Sequence, residues 1–315
     1  MSIRKLALEI ERDMNCDPDK GWIHRQIGTV AGLDDQPRLT SFLYRYYYQG
    51  LRDSSHHHHR PYSTAARLIE SLEDKALVDQ LTATLPSSFY YSPNWRLVIQ
   101  NNDTAIVDRR GIQLSVTDDE WRQDASHEQT VSVRMPTSRR YASPGFFTGV
   151  SSCGIPDKNV GRDRFYVNME EDAAVPVFRC ILLWAGANDL PAIVKILNSP
   201  AHYTRRDTLI AYFPRASIQD LQESFVNEIL SLDPPLKKSI PAFTRKIRNG
   251  ISWAQDPASD GLGTGVGFGM HRCSVIARGL ERARLAATDQ FKHMIVDEWV
   301  ATGLDLDNPH LSPAR

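Results

Sequence analysis

"VKILNSPAHYTRRDTLIAYF", residues 194–213, holds two short apolar runs, and the reading of those runs decides the fold. Each is brief and rich in β-branched and aromatic residues, so each reads as a β-strand, the first as "PAIVKILN" and the second as "DTLIAYF". On the first strand Ile193, Lys195 and Leu197 share one face. A lysine among such neighbours either faces a site, where desolvation and nearby cations favour its neutral, proton-accepting form, or sits on an edge strand and discourages aggregation. Arg205, Arg206 and Asp207 stand just before the second strand. Arginine supplies a two-pronged fork for phosphate, and the aspartate either orients one of the guanidiniums or forms an ordinary surface ion pair with it.

Outward from this stretch the pattern changes in both directions. "RFYVNM" and "TVSVRM" upstream are further strands, and "DAAVPVFRCILLWAGAND" between them and Lys195 is a helix with Val177, Ile181 and Trp184 on one face. "FYYSPNWRLVIQNNDTAIVDRRGIQLSVT" reads as strands broken by Asn-Asn-Asp and Arg-Arg-Gly turns. Residues 1–85 are mostly helical by pattern, with "MSIRKLALEIERDMNC" an amphipathic helix, "RLTSFLYRYYYQGL" and "STAARLIESLEDKALVDQLTATL" two more, and a polar loop containing His56–His59 between the last two. Downstream, "SIQDLQESFVNEIL" is a helix opened by a capping box of Ser217 and Asp220, and residues 270–302 form a long helical region. The expected fold is α+β: a mixed or antiparallel sheet with flanking helices over residues 86–315, preceded by a mostly helical part over residues 1–85.

Composition narrows the function classes. The 315 residues carry a formal net charge of −1, with 41% hydrophobic and 24% charged residues. Neither nucleic acid nor a membrane surface is an expected partner of so balanced a chain, and no apolar run is long enough for a transmembrane helix. Cys16, Cys153, Cys180 and Cys273 lie far apart without a CxxC pair, which points to reduced thiols and a cytoplasmic location.

The usual catalytic motifs are absent. There is no HExxH, no EF-hand loop and no GxSxG elbow, and no metal or other cofactor is expected. The run His56–His59 lacks the spacing and supporting residues of a fixed metal site. "GLGTGVGFG" matches neither a dinucleotide nor a P-loop fingerprint, but it runs into a helix start that would carry His271 and Arg272 in its first turn, either as an anion site or as a plain flexible turn.

Four blocks in this order, "RFYVNM", "VKILNSPAHYTRRDTLIAYF", "PAFTRKIRNGISWAQDP" and "GFGMHRCSVIARGL", resemble the HopA family of type III secretion effectors. Related proteins occur beside a separate kinase-like protein in gene clusters for class V lanthipeptides and thioamitides, where they are assigned as lyases. The family is similar, more distantly, to the phosphothreonine lyases of the OspF/SpvC type, which remove phosphate by β-elimination. The resemblance implies Lys195 as base, Tyr212 on the neighbouring strand, Asp207 beside the arginines, and Arg205 or Arg206 with Arg272 as phosphate ligands. Arg164 and Tyr166 occupy the positions where those lyases carry a lysine and the histidine acid, so Tyr166, His202 and His271 are the candidate acids.

The implied activity is elimination of phosphate from phosphoserine or phosphothreonine in a phosphorylated precursor peptide, leaving dehydroalanine or dehydrobutyrine. The alternatives are a non-catalytic effector and a module that only binds phosphopeptides. Lys195, Tyr212 and Tyr166 are expected on one face of one sheet, and Arg272 within reach of the phosphate held by Arg205 or Arg206.

Overall fold

In the computed structural model, residues 2–52, 73–124, 130–157, 161–257 and 267–313 are described. The His56–His59 run, most of the glycine-rich stretch before Gly267 and the first part of the helix expected from Ser63 lie outside them.

The central element is a six-stranded antiparallel sheet. With strands numbered along the chain, β1–β3 lie within residues 14–31 and β4–β8 within residues 89–136, and the order in this sheet is β13 (Arg245–Arg248), β14 (Ile251–Gln255), β10 (Arg162–Val167), β12 (Leu209–Pro214), β11 (Ile193–Leu197) and β9 (Phe146–Val150). The two runs of residues 194–213 are thus adjacent inner strands, paired with Lys195 opposite Ile210. Lys195 therefore does not lie on an edge strand; β9 lies outside β11. One face of the sheet is apolar and carries Phe165 and Phe213. Against it pack the helices Ala174–Ala187 and Gln222–Leu230, whose Trp184 and Phe225 meet those rings at centroid separations of 4.9 to 5.8 Å. Gly149 lets the first of these helices come close, since a Cβ there would sit 2.5 Å from Phe178 Cζ.

The opposite face is covered by the N-terminal residues and the last two helices, Phe268–Leu285 and Ile295-bearing Phe291–Ala301. The N-terminal part begins with the expected amphipathic helix, Ile3–Asp13, which turns Ile3, Leu6, Ala7 and Ile10 inward. It adds three short strands between Met14 and Ala31 that hydrophobic periodicity does not reveal, because each is only four residues long. The N-terminal and C-terminal segments are sewn together over long range. Trp22 Nε1 donates to Glu281 Oε1 at 2.7 Å, 259 residues away, and Lys292 N donates to Glu11 Oε1 at 3.0 Å, 281 residues away. A further antiparallel sheet of five strands, within residues 89–136, has a small core of its own around Trp95, Val107, Val131 and Val133.

Three expected elements come out differently. Helix Gln36–Leu43 starts two residues before "RLTSFL", because Asp35 caps it at the Arg38 N–H and Pro37 fits the first turn. It ends in a π-helical turn, Tyr44–Tyr48, where Gln49 N–H reaches the Tyr44 carbonyl. The Ser217/Asp220 capping box does not form. Pro214, with φ of −60°, starts a short helix at Arg215, so Ser217 lies inside that turn and the longer helix opens at Leu221 without a side-chain cap. The long C-terminal helical region breaks after Leu285, and its two halves fold back on each other. Gly279 permits that contact; a Cβ there would be 2.7 Å from Ile295 Cα.

Two buried histidines make stability depend on pH. His24 packs between Phe42 and Tyr46, at 5.6 and 4.5 Å, and its Nδ1 accepts from the Gln26 N–H, so the ring is held neutral. Burial lowers the pKa of His24 and of His310 below the usual histidine value. The unfolded chain then binds protons more readily than the folded one. The contribution of these two histidines is flat above about pH 6.5, the unfolded value, and turns unfavourable as pH drops below it. The urea midpoint is expected to decrease between about pH 7 and pH 5, and the His24→Phe/His310→Phe double variant to show a shallower slope over that interval.

Candidate functional site

The polar residues singled out by sequence gather on the face of the sheet away from the Phe165 cluster. Arg162, Arg164 and Tyr166 alternate along β10, Ile210 and Tyr212 along β12, Ile193 and Lys195 along β11, and register aligns them. One line across the sheet reads Ser252, Tyr166, Ile210, Lys195, Thr148; the next reads Ala254, Arg164, Tyr212, Ile193, Val150. Lys195, Tyr212 and Tyr166 therefore share one face, as the alternation in the two apolar runs requires.

The ring of Tyr212 is the centre of the arrangement. Arg164 Cζ stands 4.9 Å from its centroid, Arg162 Cζ 5.4 Å and Lys195 Nζ 5.8 Å. Asp256, just past the end of β14, is shared by Arg162 and Arg164. Lys195 is half-buried, and its amine approaches Ser143 Oγ at 3.4 Å. Among the described residues no carboxylate pairs with it. Three cations thus surround one ring with a single carboxylate between them. Gly267, before the N-terminus of helix Phe268–Leu285, lies close by, with its side-chain direction facing Arg164 Nη1 at 3.9 Å.

Tyr166 is fully buried, below Phe268 at 6.5 Å and in contact with Tyr48 and Arg164. Burial is the largest influence on its hydroxyl, and the pKa is pushed up to about 12, so Tyr166 holds its proton at neutral pH. The π-helical turn stacks Tyr44 on Tyr48 at 4.9 Å, and burial raises both hydroxyls well above the ordinary tyrosine value.

The remaining candidates divide. Arg205 forms a two-pronged pair with Asp207, at 2.9 Å on both oxygens, and lies over the Phe146 ring at 4.9 Å. Gln49 and Tyr44 close around the same pair. Asp207 orients Arg205, and the pair is buried rather than a surface contact. Arg206 turns the other way, against Gly50, where burial and the charge of Arg52 lower its pKa. Arg272 is fully buried and donates to the carbonyls of Pro309 at 3.1 Å and Leu311 at 2.6 Å, with Phe268 and Trp299 beside its guanidinium. His271 Nδ1 meets Arg272 Nη1 at 2.8 Å. Arg205 and Arg206 lie against the Tyr44–Gly50 segment and Arg272 against Pro309 and Leu311, so their side-chain partners belong to different parts of the chain. Beside Arg164 stand Arg162 and Asp256 instead. The alternation in "RDRFYV" signals Arg162, two residues before Arg164; nothing local signals Asp256 or the tyrosines of the π-helical turn.

Among the described residues no three His, Cys, Asp or Glu side chains cluster as metal ligands, and no helix is long and apolar enough to cross a membrane. The four cysteines are free thiols.

Residues 137–311, more than half of the chain, match the HopA1 effector protein family. Among solved structures, the effector protein from Pseudomonas syringae pv. syringae strain 61 aligns at a TM-score of 0.51 with 13% identity, covering 99% of this chain and 96% of that one. The effector protein from Pseudomonas syringae pv. tomato strain DC3000 aligns at 0.49 with 15% identity, covering 89% and 91%. The first of these likenesses concerns the fold alone. No curated protein matches the chain.

Proposed function

The chain belongs to the HopA1 effector protein family, and from that premise we propose that it is a carbon–oxygen lyase that eliminates phosphate from phosphoserine or phosphothreonine in a peptide. The observation that carries this reading is the charge around Tyr212. Arg162 and Arg164 supply two fixed positive charges within 6 Å of its ring centroid, with the Lys195 amine at 5.8 Å, and Asp256 returns one negative charge. The positive charge left in excess on the guanidiniums is placed to pair with a phosphate monoester, which carries about −1.5 to −2 at neutral pH. Like charges gather in a half-buried site when an anion is to be held there.

The residues divide the reaction between them. Lys195 Nζ takes the α-proton of the phosphorylated residue. The C–H electron pair becomes the Cα=Cβ double bond, the Cβ–O bond breaks, and phosphate departs with the electrons of that bond. Arg164 and Arg162 hold the departing charge, and Tyr166, which keeps its proton and interacts with Arg164, is the acid in this reading. The α-proton is weakly acidic, so most of the acceleration rests on placing the amine. Tyr212 packs between amine and guanidinium and sets their spacing. In this reading the substrate is a ribosomally made precursor peptide that a separate kinase-like protein has phosphorylated.

A phosphothreonine peptide incubated with the protein is expected to lose the whole of phosphoric acid and gain a dehydrobutyrine, detected by mass spectrometry and by addition of a thiol to the new double bond. Loss of the phosphoryl group alone would indicate hydrolysis. A phosphopeptide that binds and stays intact would leave a recognition module.

A further inference from the structure

We infer that Thr148 and Ser143 are the positioning pair for Lys195, two hydroxyl acceptors that fix its amine with the lone pair turned toward the substrate. The inference rests on the lyase reading. Thr148 is the cross-strand partner of Lys195 on β9, on the same face, so the two Cβ atoms are about 5 Å apart. Thr148 is 2% exposed, and among the described residues its hydroxyl has no hydrogen-bond partner. A buried hydroxyl without a partner is costly, and replacing it by a methyl group of the same shape is neutral or favourable for folding. Valine is also among the best strand residues. The hydroxyl therefore brings the fold nothing at this position, in a line that already holds the candidate base.

The chemistry of an amine supplies a use for it. A neutral lysine has two N–H donors and one lone pair. To accept an α-proton the lone pair must point outward, so both N–H bonds must find acceptors on the protein side. Ser143 Oγ stands 3.4 Å from Nζ from one side, Thr148 lies across the strand pair on another, and the Tyr212 ring fills a third at 5.8 Å. Hydroxyls suit the task better than carboxylates. They accept a hydrogen bond but carry no charge that would hold the lysine in its ammonium form.

Elimination kinetics and thermal unfolding of Thr148→Val, Thr148→Ser and the double variant Ser143→Ala/Thr148→Val test this. The expected result for Thr148→Val is a kcat lowered about 10-fold or more with KM within about twofold, because the loss falls on orientation of the base. Its Tm is expected to be equal to or above that of the unaltered protein, and Thr148→Ser, which restores the hydroxyl, is expected to recover most of the rate. The double variant is expected to fall further. Unchanged kcat in the double variant, with the unaltered protein active, overturns the positioning pair and leaves the lyase reading standing. A drop in kcat that follows a drop in Tm overturns it in favour of a packing role. No elimination by the unaltered protein on a phosphopeptide it binds removes both readings.

Discussion

Lys195→Ala is expected to lower elimination by roughly 10²–10⁴-fold, the contribution of a positioned general base. Affinity for the phosphopeptide changes much less, because Arg162 and Arg164 remain in place around Tyr212. Lys195→Ala also removes the reach and bulk of the side chain, so a second replacement separates those from the chemistry. Lys195→Arg keeps a cation of similar reach, and a guanidinium does not give up its proton near neutral pH. It is expected to bind the phosphopeptide about as well as the unaltered protein and to eliminate no better than Lys195→Ala. Product is measured by mass spectrometry and affinity by calorimetry on one peptide. Full turnover in either variant would take the role of base away from Lys195.

Arg272→Ala is expected to destabilise the protein by about 3–5 kcal/mol, the range for deleting a large, fully buried side chain. The guanidinium sits beside two aromatic rings, and its departure leaves the carbonyls of Pro309 and Leu311 without these donors. Those carbonyls belong to a segment that returns to the active face. Gln255 N–H donates to the His310 carbonyl, and Ser312 Oγ donates to the carbonyl of Asp256, the residue shared by Arg162 and Arg164. Urea unfolding is expected to show the loss of stability, and limited proteolysis to cut first among residues 303–313. A phosphate ligand would behave differently: stability would hold and phosphopeptide affinity would drop. That pattern would return Arg272 to the role its place near a helix start implies.

The contrast between these two residues shows what a sequence can disclose. Lys195 was legible because a strand fixes side-chain direction by alternation, and the same rule put Tyr212, Tyr166 and Arg164 on one face. The strands on either side were legible for the same reason. Arg272 was not, because its partners lie 37 and 39 residues further on, in a stretch without periodicity. Asp256 follows a strand whose neighbour in the sheet begins at Arg162, which only the register reveals. Thr148 reads as an ordinary β-branched strand residue, and its missing hydrogen bond exists only in three dimensions. The π-helical turn that brings Tyr44 and Tyr48 over the sheet continues a helical pattern without a break in composition.

The stitching of the first residues to the last bears on the order of events as the chain folds. Helix Ile3–Asp13 hides its apolar side on helix Phe291–Ala301, and Ile3 N–H donates to the Leu306 carbonyl at 3.2 Å. Trp22 waits for Glu281 and Phe291. During synthesis Ile3–Trp22 therefore remain without these partners until residues 281–306 have been made. Closing loops of this length before any contact rewards them is slow, and apolar surface stays open to aggregation meanwhile. A chain stopped before residue 290 leaves Ile3, Leu6 and Ile10 without helix Phe291–Ala301 to cover them, so helix Ile3–Asp13 docks only after that helix exists.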